Sequence, residues 1–473
     1  MAAAREGDVA ERYDVVILGG GPAGEAVVRR LDGAGLRVAL VERERVGGEC
    51  AYWACVPSKT LLRAPEVQTE ARLVRGLTQP RQRWAQIAAY RDALISDLDD
   101  ALKAAKMEAA GATLMRGTGR ISGPGLVTIG DRTVEAAHIV VATGTGPVIP
   151  IIDGLDQIPL WTTRDVYTMA APPEDAIVLG GGPVGIETAQ MLRGHGTRVT
   201  VVQEDRRLLP REDAAVGEEL ARRFDEDGIE LYLGAEGRRV EDAGGRIRLF
   251  LEDGRCVEAE RLVAAIGRSP RVEDVGLEEI GIVPGESGGI DVDARCRAAK
   301  GVWAVGDVTA VMPFTHVAHY QGEIAADDIL GRPRQADYRA IPRVVFSTPE
   351  IAAVGLTPEQ AREQGIAIEL GTVSLERLAR TETYGYGYRG FMTVLADRDR
   401  GVLVGAYAVG PLASEWIGAT VLAIKARIPI ETLRDTPMQF PTFGEALSYA
   451  IADLEDGPFD KRTRLLASPQ EDP

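Results

Sequence analysis

A chain of 473 residues is too long for one ordinary core and is expected to divide into roughly two to four domains. With 45% hydrophobic and 26% charged residues it reads as globular, and a formal charge of -17 argues against a nucleic-acid partner or an anionic membrane surface. No run reaches the ~18 apolar residues of a membrane span, residues 1–10 show no apolar signal region, and four cysteines are too few for a secreted disulfide framework. A cytoplasmic location is therefore expected. Only six of the 54 basic residues are lysines, so local positive charge is nearly all arginine.

Tyr13-Asp14-Val15-Val16-Ile17-Leu18 is a short apolar run suited to a buried parallel strand. It ends in Gly19-Gly20-Gly21-Pro22-Ala23-Gly24, passes into a helical pattern through Arg30, and a second strand closes on Glu42. A G-x-G-x-x-G turn between strand and helix, with an acid about 20 residues on, is what a dinucleotide-binding unit requires. The glycines let backbone N–H groups approach a diphosphate at the helix start, and Glu42 can accept from a ribose hydroxyl.

Then comes Gly47-Gly48-Glu49-Cys50-Ala51-Tyr52-Trp53-Ala54-Cys55-Val56-Pro57-Ser58-Lys59. Two cysteines run into a helix-opening segment, where unpaired N–H groups and the helix dipole favour a thiolate, and such a pair can shuttle two electrons. Two buried cysteines or half of a metal site is the competing interpretation. The position of the pair, inside a nucleotide-binding unit, favours redox chemistry, and no metal is assigned. A long amphipathic stretch over 84–110 follows, and the unit closes with Ile139-Val140-Val141-Ala142-Thr143-Gly144.

After a proline-rich crossover over 147–173, the figure repeats. Ala176-Ile177-Val178-Leu179 leads into Gly180-Gly181-Gly182-Pro183-Val184-Gly185, a helix, and the strand Arg198-Val199-Thr200-Val201-Val202. Gly19 to Glu42 is 23 residues, and the same offset from Gly180 falls on Gln203. Glutamine tolerates a 2′-phosphate that a carboxylate would repel, and Arg206 and Arg207 stand close by, so NAD and NADP are both open. This unit closes at Leu262-Val263-Ala264-Ala265-Ile266-Gly267, and the pair reads as a duplicated domain.

The chain then returns through a strand ending in Gly306-Asp307, with a helix expected over 320–330. The last third changes style. Thr357-Pro358-Glu359-Gln360 is a capping box, strands are expected over 390–396 and 402–409, and helices over 414–427 and 443–454. That mixture describes an α+β domain devoted to association.

Together the paired glycine turns, Gly-Gly-Glu-Cys-x4-Cys-Val-Pro-Ser-Lys, Ala142-Thr143-Gly144, Gly267-Arg268, Gly306-Asp307 and Val354-Gly355-Leu356-Thr357 resemble the flavoprotein disulfide reductases, a family that includes lipoamide dehydrogenase, mercuric reductase and soluble transhydrogenase. The resemblance implies an α/β fold of two nested Rossmann-like dinucleotide-binding domains plus a C-terminal α+β dimerisation domain. It implies an FAD-binding domain over 12–152 with a return segment over 270–340, an NAD(P)-binding domain over 153–269, and an interface domain over 341–473. FAD would lie on Gly19, Gly21, Gly24, Glu42, Gly48, Lys59, Thr143, Gly144, Gly306 and Asp307. NAD(P)H would lie on Gly180, Gly182, Gly185, Gln203 and Gly267. Lys59 would sit near the flavin facing Glu187, with Cys55 as the thiolate against the flavin and Cys50 as the interchange thiol. The resemblance further implies a homodimer whose site is completed by the other subunit's C-terminal domain, acting on a small-molecule acceptor.

The departures are informative. Relatives that handle thiols carry a C-terminal His-Pro-Thr and then a glutamate, whereas here the segment is Phe440-Pro441-Thr442-Phe443-Gly444-Glu445. The glutamate persists as Glu445, a catalytic candidate, but Phe440 stands where the proton-transferring histidine belongs. His316 falls where lipoamide dehydrogenases carry a histidine near the flavin, a structural position; His319 is close by, and His138 and His195 carry no assigned role. Tyr52 and Trp53 either pack or form an aromatic wall for a planar acceptor, and Tyr384-Gly385-Tyr386-Gly387-Tyr388 is a candidate surface. The tail to Pro473 lacks the cysteines that would hand over a metal in a mercuric reductase. Three readings remain: dithiol transfer to an unidentified acceptor, direct flavin-to-acceptor transfer as in a quinone or dye reductase or a transhydrogenase, and a non-catalytic nucleotide-binding protein.

Overall fold

The computed structural model describes residues 11–385 and 387–454. The leader reading at residues 1–10, Tyr386 of the tyrosine repeat, and the tail after residue 454 lie outside them.

The first sheet forms because short apolar runs with turn-forming ends are buried on both faces. Glu11–Leu18 pairs in parallel with Val38–Glu42 on one side and Arg132–Val141 on the other, Ala112–Arg116 extends the sheet beyond Val38–Glu42, and the returning strand Val302–Ala304 joins the far side of Arg132–Val141. The chain thus leaves this sheet for some 160 residues and comes back to it. Helices Pro22–Leu31 and Thr315–Ile329 pack against each other closely enough that a Cβ on Gly322 would stand 2.6 Å from the Ala23 carbonyl oxygen.

The second sheet is wholly parallel, in the order Glu230–Leu233, Arg198–Gln203, Asp175–Leu179, Arg261–Ala264 and Leu160–Trp161. A three-stranded antiparallel sheet over 237–259 lies beside it in the chain. The last third forms a five-stranded antiparallel sheet ordered Pro342–Val345, Glu350–Gly355, Val402–Gly410, Phe391–Asp397, Ile368–Ser374. The capping box at Thr357 forms as its residues require: Thr357 Oγ1 accepts from Gln360 N at 3.2 Å and Gln360 Oε1 from Thr357 N at 3.0 Å.

Some boundaries differ from the periodicity for identifiable reasons. The amphipathic stretch over 84–110 is two helices, Trp84–Leu94 and Ala101–Ala109. Between them the backbone turns through positive φ at Ser96, Asp97 and Leu98 while Ile95 is buried against Tyr52 and Trp53. The helix expected from 320 starts at Thr315, one and a half turns earlier, a shift that matters below. The helix over 414–427 is broken into Ala413–Trp416 and Gly418–Ala426.

Helix Ala214–Asp227 anchors the second unit through Phe224, whose ring is fully buried beside Leu220 and Ile229. Phe224→Ala should destabilise that unit by about 3–5 kcal/mol through lost burial and a residual cavity, read as a lower urea midpoint for its unfolding. An unchanged midpoint would contradict this packing.

Candidate functional site

The two glycine turns share one geometry. A Cβ on Gly24 would stand 2.0 Å from the Gly19 carbonyl oxygen, and one on Gly185 would stand 1.9 Å from that of Gly180, so each helix can start this close to its strand only where glycine occupies the position. Glu42 Oε2 accepts from Gly20 N at 2.6 Å, and Gln203 Oε1 accepts from Gly181 N at 2.7 Å. Gln203 therefore holds in the second unit the place that Glu42 holds in the first. Its amide nitrogen donates to Asp205 Oδ2 at 2.9 Å, which brings a carboxylate beside the neutral position.

A cavity of about 390 Å³ opens along the first turn, bounded by Gly21, Glu42, Gly48, Thr143, Asp307 and Cys50 among others, within the range typical of cofactor sites. A Cβ on Gly21 would meet only the Cα of Gly48, at 3.9 Å, so the turn leaves the open space a diphosphate needs. The residues present fit a flavin dinucleotide: an acid at one end, a glycine-rich helix start in the middle and a sulfur at the other end. Gly144 and Gly306 complete the wall. Burial pushes the Asp307 carboxyl up, against the opposing effect of a hydrogen bond from Thr145 Oγ1 at 3.1 Å. Among the described residues no group of three or more histidines, cysteines and acids is placed to hold a metal ion.

Cys50 sits in the short helix Gly48–Tyr52 and lines this cavity, while Cys55 is the first residue of helix Cys55–Leu73. Both are free thiols. The hydroxyl of Thr315, first residue of its own helix, lies 3.2 Å from Cys50 Sγ and 3.6 Å from Cys55 Sγ. The Cys50 thiol hydrogen-bonds to Cys55 and so lowers the Cys55 pKa; the Thr315 hydroxyl and the Lys59 charge act the same way against burial. The same bond, with burial, pushes Cys50 up. One proton is thus shared unequally, with the charge on Cys55.

Lys59 lies four residues after Cys55, on the same helix face. Its Nζ donates to Glu187 Oε2 at 2.6 Å and sits 4.8 Å from the centre of the Phe346 ring. Glu187 Oε1 accepts from Phe346 N at 3.0 Å, so both oxygens of a side chain only 7% exposed are engaged.

Sequence reasoning missed a charge cluster beside the sulfurs. Glu49 Oε1 accepts from Arg164 Nε at 3.2 Å and from Arg271 Nη2 at 3.0 Å, and Arg268 Nη2 lies 3.7 Å from Oε2. Burial alone would raise the Glu49 carboxyl, but the three guanidiniums outweigh it and hold it below the usual range. Arg164 also lies 4.0 Å over the Trp53 ring. Arg268 and Arg271 arrive on an antiparallel ribbon, Arg268–Pro270 with Thr145–Pro147, that follows directly from Gly267. The signals available were Glu49 itself, an acid next to a reactive cysteine, and the arginine after Gly267.

Of the alternatives for Tyr52 and Trp53, packing prevails: both are buried against Ile95, and the Tyr52 hydroxyl donates to the Val46 carbonyl at 3.0 Å. His316 stacks on Phe314 with ring centres 5.3 Å apart. His138 meets Trp303 edge-on, and His195 Nε2 pairs with the Leu61 carbonyl at 2.9 Å. Glu445 is not brought to the sulfurs of its own chain, since its Oε2 accepts from Thr442 N at 3.1 Å in a capping box. Phe440, 74% exposed, touches neither cysteine of its own chain.

The site and both nucleotide turns lie within residues 13–322, which match the family model for pyridine nucleotide-disulphide oxidoreductases, and residues 341–451 match that family's dimerisation domain. The chain is 32% identical to a dihydrolipoyl dehydrogenase of Halobacterium salinarum, covering 93% of this chain and 96% of that protein. It is 35% identical to a mercuric reductase of Streptomyces lividans, covering 93% and 95%. Among solved structures, LpdA from Mycobacterium tuberculosis superposes with a TM-score of 0.84 at 30% identity, covering 94% of this chain and 100% of that one. The HOCl-induced flavoprotein disulfide reductase RclA from Escherichia coli superposes at 0.83 and 26% identity, covering 93% and 99%. Members of this family are enzymes that use FAD and NAD(P)H. With its doubled glycine turns, its cysteine pair of which Cys50 lines the cavity, and its matched C-terminal domain, the chain belongs to the pyridine nucleotide-disulphide oxidoreductase family.

Proposed function

We propose that the protein oxidises NAD(P)H and passes the electrons through the Cys50–Cys55 pair to a small-molecule acceptor. The observation that carries this reading is a cavity lined by Glu42, Cys50 and Thr315, with Thr315 in contact with both Cys50 and Cys55 and the Lys59–Glu187 pair one helical turn beyond Cys55. FAD, when bound, would supply a two-electron carrier between the nicotinamide and the sulfur pair.

The chain's own residues have distinct tasks. The turns at Gly19, Gly21 and Gly24 and at Gly180, Gly182 and Gly185 present backbone N–H groups to the two diphosphates, with Glu42 and Gln203 at the ribose ends and Gly267 at the close of the second unit. Asp307 and Thr143, which line the same cavity, would also hold FAD. Glu187 holds the Lys59 ammonium in place through its hydrogen bond, and the Lys59 charge favours negative charge on Cys55 while the Glu187 charge opposes it. The Cys50 thiolate then attacks an acceptor disulfide, forming a mixed disulfide as the acceptor's S–S bond breaks. Cys55 closes the intramolecular bond, and two acceptor thiols leave with two protons. A second copy of the chain, joined through the C-terminal domain, brings its Phe440 and Glu445 to this dithiol, in a cytoplasmic homodimer.

Phe440 favours a second reading, in which a quinone or dye takes electrons without the sulfurs. Phenylalanine cannot move a proton, and the Glu445 carboxylate caps Thr442 instead of orienting an imidazole. Anaerobic titration with NAD(P)H separates the two readings. The dithiol route predicts uptake of about four electrons per flavin, falling to about two in Cys50→Ser, because disulfide and flavin each take two. Uptake of about two in the unaltered protein, with quinone reduction that survives loss of both cysteines, would replace it by direct transfer.

Restoring the missing acid–base group gives a further test. Phe440→His should raise NAD(P)H-driven reduction of a small disulfide such as lipoamide by roughly tenfold or more, toward the ~10²–10⁴ that general acid–base help typically contributes. An unchanged rate would show that proton transfer at this position does not limit the reaction.

A further inference from the structure

The reduced dithiol needs a partner for whichever sulfur carries the charge, and the imidazole that supplies one in thiol-handling relatives is replaced here by Phe440. The structure holds another hydroxyl at the sulfurs. Thr315 Oγ1 is 3.2 Å from Cys50 Sγ and 3.6 Å from Cys55 Sγ, both within reach of an O–H···S hydrogen bond. We propose that Thr315 is a catalytic residue of this site, its hydroxyl swinging between the two sulfurs to hydrogen-bond the one that carries negative charge. The assignment rests on the dithiol reading of the function, though its test does not depend on turnover.

Three features of the surroundings support it. Thr315 is the first residue of helix Thr315–Ile329, and its hydroxyl contacts the two sulfurs. Neither sulfur is Thr315's sequence neighbour: the contacts span 265 and 260 residues, so this is tertiary placement and not a local turn. Helix Cys55–Leu73 also begins at the pair, with Ala54 at its N-cap and no side-chain cap. Two positive helix ends therefore converge on the sulfurs, with the Thr315 hydroxyl between them.

A hydroxyl has one proton to donate and cannot give it up at neutral pH, so Thr315 is not a base. Its action is to follow the charge. When Cys55 is the thiolate it donates there, and when Cys50 is deprotonated for attack on the acceptor it turns to Cys50. The other groups facing the pair are fixed: Lys59 and Glu187 neutralise each other on the Cys55 side, and Tyr167, buried, hydrogen-bonds Thr188 at 2.9 Å. His316, the next residue, stacks on Phe314 and is engaged with the Pro342 backbone, so it does not compete for the sulfurs. Of these groups only the Thr315 hydroxyl reaches both sulfurs.

The test is site-resolved alkylation. Holoenzyme reduced with dithiothreitol is pulsed with iodoacetamide between pH 5 and 9, and Cys50 and Cys55 are quantified separately by mass spectrometry. In Thr315→Val, which keeps the shape and deletes the hydroxyl, alkylation of Cys55 near pH 5 should slow by roughly tenfold, a midpoint displaced upward by about one unit. Cys50 should move in the same direction, because its thiolate loses the same donor. Thr315→Ser should restore both profiles. Thr315→Ala deletes the hydroxyl with less bulk and decides the matter if the valine variant does not fold or hold flavin. Profiles in Val or Ala that superpose on the unaltered protein, with flavin content and circular dichroism preserved, would overturn the assignment. Because alkylation is read without an acceptor, a protein whose dithiol proves silent in turnover can still show or fail to show the Thr315 effect.

Discussion

Two helices begin at the same place. Cys55 opens one and Thr315 opens the other, and neither helix has a side chain capping its first turn. The backbone donors and dipoles at those starts therefore face a pair of sulfurs, and negative charge there is stabilised from two directions. The rest of the site follows from that meeting. Lys59 falls one turn into the first helix, on the face of Cys55, and Glu187 is brought to it from the helix after the second glycine turn, 128 residues away. Moving either helix start by a turn would separate the charge from the groups that stabilise it.

The duplicated units show how one architecture was given two uses. Glu42 and Gln203 bond the second glycine of their turns in the same way, so the geometry at the two positions is the same while the charge is not. What distinguishes the first unit is the excursion after Val38–Glu42. It carries the cysteine pair, and its buried Tyr52 and Trp53 pack with Ile95 as one cluster. Arg91, buried on the same excursion, donates to the carbonyls of Tyr167 and Met169 at 3.1 and 3.0 Å and ties it to the crossover between the units.

Charge is handled locally in a chain that is acidic overall. Around Glu49 three arginines from two distant segments offset one carboxylate next to Cys50. A buried carboxylate left without them would be strongly disfavoured, so the cluster also fixes where the ribbon from the second unit crosses the cavity of the first. The result is a positive wall facing a site suited to an anionic cofactor, at no conflict with a net charge of -17.

Much of this was legible before any coordinates. Strand, glycine turn and helix follow one another within 20 residues, because the fit of Gly24 against Gly19 is a local steric demand. The offset that located Gln203 is likewise local, since strand and helix lengths repeat. The break at Ser96 to Leu98 was not legible, because the amphipathic pattern continues through it while Ile95 is drawn under Trp53. Nor did the sequence point to Thr315: a threonine at a helix start is ordinary, and only its 3.2 Å contact with a sulfur 265 residues earlier gives it meaning. The chain by itself determined where the two glycine turns and the cysteine pair stand, because turn chemistry and apolar period act over a few residues. Only the tertiary structure decided what surrounds those sulfurs, because groups meeting from remote segments are selected by packing and charge, which leave no spacing to read.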